Sequence, residues 1–276
     1  MDRTVAAPLP ASVRAGRLPS LDGMRGGLSV VVMLAHFLTA TGHTQGLIFA
    51  RASVYGFFVI SAYALTMSWD GGYAVFLVKR CVRLWPAYAA ALAIGTVLTG
   101  LSPPWHDFFW LPFRGLNSKF PQDPVVWSLY TEVYAGVAMP LIVLVAKRGW
   151  TALAAAVACV LLSSLQYDVA LGLFFIAGAY AATRVDFDFG VLNGALPQWL
   201  GKISYSLYLT HAMTIISCKH FLPHVWMLIA VPLSFLGAVV FHRYVEAPSI
   251  QLSRALAKAL SRPRELAPGR ILETAA

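Results

Sequence analysis

LDGMRGGLSVVVMLAHF, residues 21–37, places an arginine and a histidine inside the first apolar segment of the chain. A charged or ionisable side chain in a membrane span is costly, so each is a functional-site hypothesis by default. On a helix, the eleven-residue offset separates Arg25 and His36 by roughly 16 Å. Eleven residues is close to three turns, so both fall on nearly the same face. The stretch therefore predicts a helix that offers functional groups at two depths of one bundle.

The rest of the chain has the same character. Of its 276 residues, 58% are apolar and only 12% are charged, with a mean hydropathy of +0.67. Soluble domains hold about twice that share of charge. The expected fold class is all-α: a polytopic transmembrane helix bundle of about eight spans (eight to ten). The spans read as 26–42, 47–69, 84–101, 125–146, 150–166, 168–183, 203–219 and 225–243. Residues 1–20 carry Pro and Arg but no apolar core, so no cleaved signal peptide is expected. Cys81, Cys159 and Cys218 are far apart and show neither metal spacing nor a disulfide framework.

A formal charge of +9 raises the question of nucleic acid, and its distribution answers it. With the N-terminus inside, seventeen Lys and Arg fall in inner segments and four in outer ones. That asymmetry is a topology signal and predicts both termini in the cytoplasm. The expected organisation is a cytoplasmic segment (1–20), a membrane domain (21–248), and a basic amphipathic helix with a cytoplasmic tail (249–276). In SIQLSRALAKALSR, Leu252, Leu256 and Leu260 recur at helical spacing opposite Arg254, Lys258 and Arg262, which suits an anionic inner leaflet. The longest connection, 102–124, is expected outside; its Pro and aromatic content suits an interfacial loop or lid.

Polar residues in the spans form islands. His36 has the chemistry of a general base, since a neutral imidazole can take a proton from a hydroxyl; it could also simply join two helices. KRCVRLWP (79–86) puts Lys79, Arg80 and Arg83 on neighbouring turns at the inner mouth of the third span, where arginine forks suit phosphate. Ordinary positive-inside anchoring is the plainer reading. WSLYTEVYAG (127–136) carries Glu132, expected near the outer third of the bilayer, either orienting a histidine, binding a polar acceptor or pairing with another span. GKISYSLYLTHAM (201–213) carries His211 on an unusually hydroxyl-rich helix. In FHRYVEAP (241–248), Arg243 and Glu246 are three apart and could pair, a structural role.

In this order the islands resemble the acyltransferase-3 family of integral membrane acyltransferases. The family's LDGxRG opening resembles Leu21 to Gly26, with Asp22 and Arg25; its arginine, ten residues, histidine pattern falls on Arg25 and His36. FFVISAY (57–63), Arg80 and Arg83, Trp127 to Glu132, Ile203 to His211 and Arg243 to Pro248 resemble its later motifs. Two positions depart from the pattern. Tyr55 and Gly56 stand where an aspartate is usual, and Ser61-Ala62 replaces Ser-Gly.

The resemblance implies an O-acyltransferase in the bacterial cytoplasmic (inner) membrane. It would move an acyl group, acetyl by family habit, from cytoplasmic acyl-CoA to a hydroxyl of an extracytoplasmic glycan or lipid-linked saccharide. His36, Arg25 and Glu132 would be catalytic. Arg80, Arg83 and Lys79 would hold the donor phosphates. His211, Trp127, Ser128, Tyr208 and Asp22 would line the acceptor side or support the reacting groups. Acetyl-CoA is then a substrate, with no bound cofactor or metal expected, and membrane lipids but no nucleic acid as partners. Two other classes compete: a transporter or flippase with a His/Glu proton relay, and an inactive scaffold of a glycan-assembly complex.

Overall fold

The computed structural model describes residues 18–69, 72–100, 125, 127–163 and 167–260. The expected outer connection, most of the N-terminal segment and the tail beyond Leu260 lie outside them. Among the described residues the chain is helical throughout, without strands. The helices are α1 (Pro19–Ala40), α2 (Gly46–Met67), α3 (Tyr73–Thr99), α4 (Trp127–Val137), α5 (Met139–Lys147), α6 (Trp150–Ser163), α7 (Tyr167–Ala182), α8 (Ala195–Phe221), α9 (Trp226–Phe241) and α10 (Ala247–Leu260). The described part of each of the eight expected spans falls mainly on helix. Among the described residues, four helical stretches are long and apolar enough to cross a membrane alone: α1, α2, α3 and the run from Trp226 to Leu260. The bent pair α4–α5 makes a fifth if it is one span.

Local chemistry explains two of the helix ends. Pro19 opens α1, where its missing N–H costs nothing. Gly100 closes α3 at φ +70°, a left-handed conformation that glycine adopts freely. The expected fourth span, 125–146, is not one straight helix: α4 and α5 meet at 66°. Pro140 lies just past the break, and a proline cannot donate the i−4 hydrogen bond and clashes with that carbonyl. The third span also starts earlier than expected, at Tyr73, so Lys79, Arg80 and Arg83 lie inside α3.

The hydroxyl-rich α8 is enclosed by its neighbours. It packs most extensively on α1 and α9 and also touches α3. Ser204, Ser206, Tyr208, Thr210 and His211 are all buried. Polar groups that would be costly against lipid are turned inward, while Leu141, Leu161 and Leu228 face outward.

Helices α1 and α8 run parallel and in register. Gly26 meets Gly201 near their starts: a Cβ on Gly26 would stand 2.5 Å from the Gly201 backbone nitrogen. Small residues let helix backbones approach this closely. Ten residues further on, His36 meets His211, and at the far ends Lys219 donates to the Ala40 carbonyl at 2.8 Å. Leu207 and Ile203 of α8, with Met33 of α1 and Ala238 of α9, fill the space along this seam.

The amphipathic segment at 249–260 forms α10, joined to α9 through a π-helical turn at His242–Glu246. One face of α10 is docked on α3, where Ser253 donates to the Lys79 carbonyl at 2.7 Å. Leu252 and Leu260 remain exposed on the other side.

Candidate active site

Two polar centres lie along α1 and α8. The first is near the helix starts. Arg80 of α3 donates through Nη2 to Oε1 of Glu132 on α4 at 3.0 Å, and Ser61 of α2 donates to the same oxygen at 3.0 Å. Arg80 reaches Glu132 across Gly136, where any Cβ would stand 2.8 Å from its Nε. Arg25 and Arg83 also lie within electrostatic reach of the Glu132 carboxylate. Asp22 sits 3.9 Å from Arg25, one turn earlier. Tyr205 of α8 donates to the Leu84 carbonyl at 3.4 Å and feels Glu132, Arg80 and Arg83. Three guanidinium groups thus meet two carboxylates, leaving a surplus of positive charge.

This geometry corrects the expected depth of Glu132. The carboxylate is level with Arg80, seven residues into α3, not near the opposite end of the bundle. The reason is that α4 begins midway along α3: Leu129 and Tyr130 pack among Tyr88, Ala91 and Leu92. An apolar run that starts inside the bundle looks, in sequence, like one that starts at its edge. The three basic residues at 79–83 also separate in role. Arg80 is engaged by Glu132, Arg83 is exposed, and Lys79 gives its backbone carbonyl to α10.

The second centre is His36 and His211. Nδ1 of His36 and Nε2 of His211 are 2.9 Å apart. Their ring centroids are 5.1 Å apart and the planes differ by 18°. With facing nitrogens this close, those values describe rings joined edge to edge and nearly coplanar. His211 is fully buried, and its Nδ1 lies 2.9 Å from the Leu207 carbonyl. His36 is partly exposed.

The remaining expected site residues are placed as follows. Tyr208 donates to the Val125 carbonyl at 3.1 Å and shares a 2.7 Å hydrogen bond with Ser128, tying α8 to the start of α4. The Trp127 ring meets the Phe58 ring edge-on at a centroid distance of 6.5 Å. The expected Arg243–Glu246 pair does not form. Buried Glu246 instead accepts from Ser206 at 2.6 Å and pairs with His242 at 2.9 Å, while Arg243 lies over the Tyr244 ring. The π turn rotates position 242, rather than 243, towards the carboxylate. Sequence reasoning also missed Ser61, Gly136 and the Leu207 carbonyl. Only Ser61, a hydroxyl in an apolar helix, left a trace in the residue pattern.

Ionisable side chains enclosed by apolar helices, with large aliphatic residues turned outward, define an integral membrane protein. The chain belongs to the acyltransferase-3 family: the family model, an acyltransferase domain, matches residues 18–190. The match includes Arg25, His36, Arg80, Arg83 and Glu132 and stops before α8. Neither a search of curated proteins nor one of solved structures returned a match.

Proposed function

We propose that this acyltransferase moves an acyl group, acetyl in the first instance, from cytoplasmic acyl-CoA to a hydroxyl of an extracytoplasmic glycan or glycolipid. The observation that carries the reading is the separation of the two centres. The arginine-rich centre, which α1 joins through Arg25, and the histidine pair are eleven residues apart along α1, or ~16 Å along the axis. The first suits a polyanion, because guanidinium forks bind phosphate oxygens bidentately. The second suits proton transfer to and from an oxygen nucleophile.

The topology is consistent with this. Parallel α1 and α8 require an odd number of crossings between them, and α2, α3, the α4–α5 pair, α6 and α7 supply five. With the basic ends inside, the arginine centre faces the cytoplasm of a bacterial inner membrane and the histidine pair lies towards the outside. On this reading the chain makes eight crossings, with both termini in the cytoplasm.

In the reaction, His36 takes the proton of the acceptor hydroxyl as the oxygen attacks the thioester carbonyl carbon. The new C–O bond forms, the C–S bond breaks, and the CoA sulfur leaves as a thiolate. The proton held on His36 then neutralises that thiolate, which restores the imidazole. Arg25, the α1 member of the arginine-rich centre, neutralises charge on the donor side.

The test uses membranes that hold wild-type or His36→Ala protein, incubated with acetyl-labelled acetyl-CoA. Label should enter extracted glycan with wild type only. No label with well-folded wild-type protein, across a panel of acyl donors and glycan acceptors, would overturn the proposal.

A further inference from the structure

We propose that His211 is a positioning residue that sets the tautomer of His36, so that the base is Nε2 of His36 and no other atom. The kinetic consequence rests on the acyltransferase reading; the hydrogen-bond order does not.

The order follows from what each atom can do. The Leu207 carbonyl can only accept, so Nδ1 of His211, 2.9 Å away, carries a proton. In a neutral ring the other nitrogen then holds a lone pair. Nε2 of His211 is therefore an acceptor, and among the described residues the only atom it faces at hydrogen-bond distance is Nδ1 of His36 at 2.9 Å. That nitrogen must donate, which leaves the lone pair of His36 on Nε2. The nearly coplanar rings suit this assignment, because an imidazole lone pair lies in the ring plane. Among the described residues, Nε2 of His36 has no protein partner.

The chain Leu207 carbonyl, His211, His36 works as a second residue does behind a metal-bound or catalytic histidine, where the bond at one nitrogen decides the state of the other. It differs in that the partner is a neutral ring. His211 adds orientation without adding negative charge. When His36 takes the substrate proton, its Nδ1–H···Nε2 bond becomes charge-assisted and shortens, which stabilises the protonated base. The anchor is firm: His211 and Leu207 are both fully buried, and the Gly26–Gly201 contact holds the two helices in the register that aligns the rings. The helix that carries His211 lies beyond the region matched by the family model.

Three variants separate this role from packing. His211→Gln keeps a distal acceptor that reaches His36. His211→Asn keeps the bond to Leu207 but is too short to reach. His211→Leu keeps volume and loses both bonds. Purified protein in lipid, with its histidine ring nitrogens isotope-labelled, is read by solid-state NMR; the His36 signals are identified by their loss in His36→Ala. Wild type should show His36 protonated at Nδ1 and bare at Nε2. His211→Leu and His211→Asn should move protonation to Nε2, and His211→Gln should not. In acyl transfer, kcat should fall roughly 100-fold for the Leu and Asn variants with KM for acetyl-CoA unchanged, and Gln should recover most of it.

The proposal fails if wild-type His36 is protonated at Nε2, if the Leu and Asn variants leave the tautomer unchanged, or if Leu turns over as fast as Gln. If wild type transfers no label at all, the acyltransferase reading falls on its own, and the tautomer comparison still decides the role of His211.

Discussion

Near the start of α1, charge is met by charge: Arg25, Arg80 and Arg83 converge on Glu132, and four helices contribute. Eleven residues on from Arg25, along the α1–α8 seam, two imidazoles meet through one hydrogen bond and end on a backbone carbonyl. The first centre is over-determined and holds more positive than negative charge. The second is sparse: one hydrogen bond joins the two rings, and Nε2 of His36 has no protein partner among the described residues. An over-determined cationic site binds well and tolerates the loss of one contact. A single-file chain of donors and acceptors orients one lone pair, and it fails when any link is cut. Under the proposed function the first centre binds and the second transfers a proton, so substitutions in each should fail in different ways.

The largest effect is expected at His36. His36→Ala should lower kcat by about 10³-fold, the middle of the range for a general base, while donor affinity and the folded level in the membrane stay unchanged. Transfer assayed beside direct acyl-CoA binding checks this. A comparable loss of donor binding would merge the two centres into one.

Next comes the ion pair that joins α3 to α4. Arg80 and Glu132 are mostly shielded from solvent, so each depends on the other more than an exposed pair would. A double-mutant cycle with Arg80→Gln and Glu132→Gln, read by thermal stability in detergent, should give a coupling of about 2 kcal/mol. A coupling near zero would mean that the 3.0 Å contact is incidental and that Glu132 is free for another role.

The histidine centre and the arginine centre were legible in sequence to different degrees. Arg25 and His36 share a face because eleven residues is three turns, and α1 carries both as that spacing requires. The ten-residue interval from Gly26 to His36 recurs between Gly201 and His211, yet nothing local says that α1 and α8 lie side by side. Pairing across the 175 positions between the two histidines is a tertiary fact. Glu132 was misplaced for a different reason. Hydropathy marks where an apolar run begins in sequence and carries no information on the depth at which it begins, and α4 begins midway along α3. Likewise, the Arg243–Glu246 expectation assumed regular α geometry, which the π turn at 242–246 breaks.

A smaller effect should separate Arg83 from Arg80. Arg83 is exposed while Arg80 is committed to Glu132. Arg83→Ala should therefore raise KM for acyl-CoA about tenfold, equivalent to losing ~1.4 kcal/mol of binding, with kcat nearly intact. Arg80→Ala should reduce stability as well as affinity. If both variants shift KM equally and neither changes the melting temperature, the two arginines act as one phosphate clamp, and the ion pair is not what holds α4 in place.

The smallest effect tests how the crowded centre is assembled. Gly136 lies one turn beyond Glu132, and the Arg80 side chain crosses it to reach the carboxylate. Gly136→Ala puts a Cβ 2.8 Å from Nε and 3.2 Å from Cδ of Arg80. The guanidinium must then shift by a few tenths of an ångström or lengthen its bond to Glu132. Two terms oppose each other, because alanine favours a helix over glycine by about 1 kcal/mol. If Arg80 yields easily, the helix term wins and the variant melts slightly higher with donor KM unchanged. If the pairing with Glu132 and Ser61 pins Arg80 as the geometry indicates, stability falls by about 1 kcal/mol and KM rises a few-fold. The expected result is the second, because Glu132 has two donors on one oxygen and little freedom to follow. His36→Ala should lower turnover by removing the proposed base, whereas Gly136→Ala should act through the position of the Arg80 guanidinium on the facing helix α3, and only the cationic centre should register it.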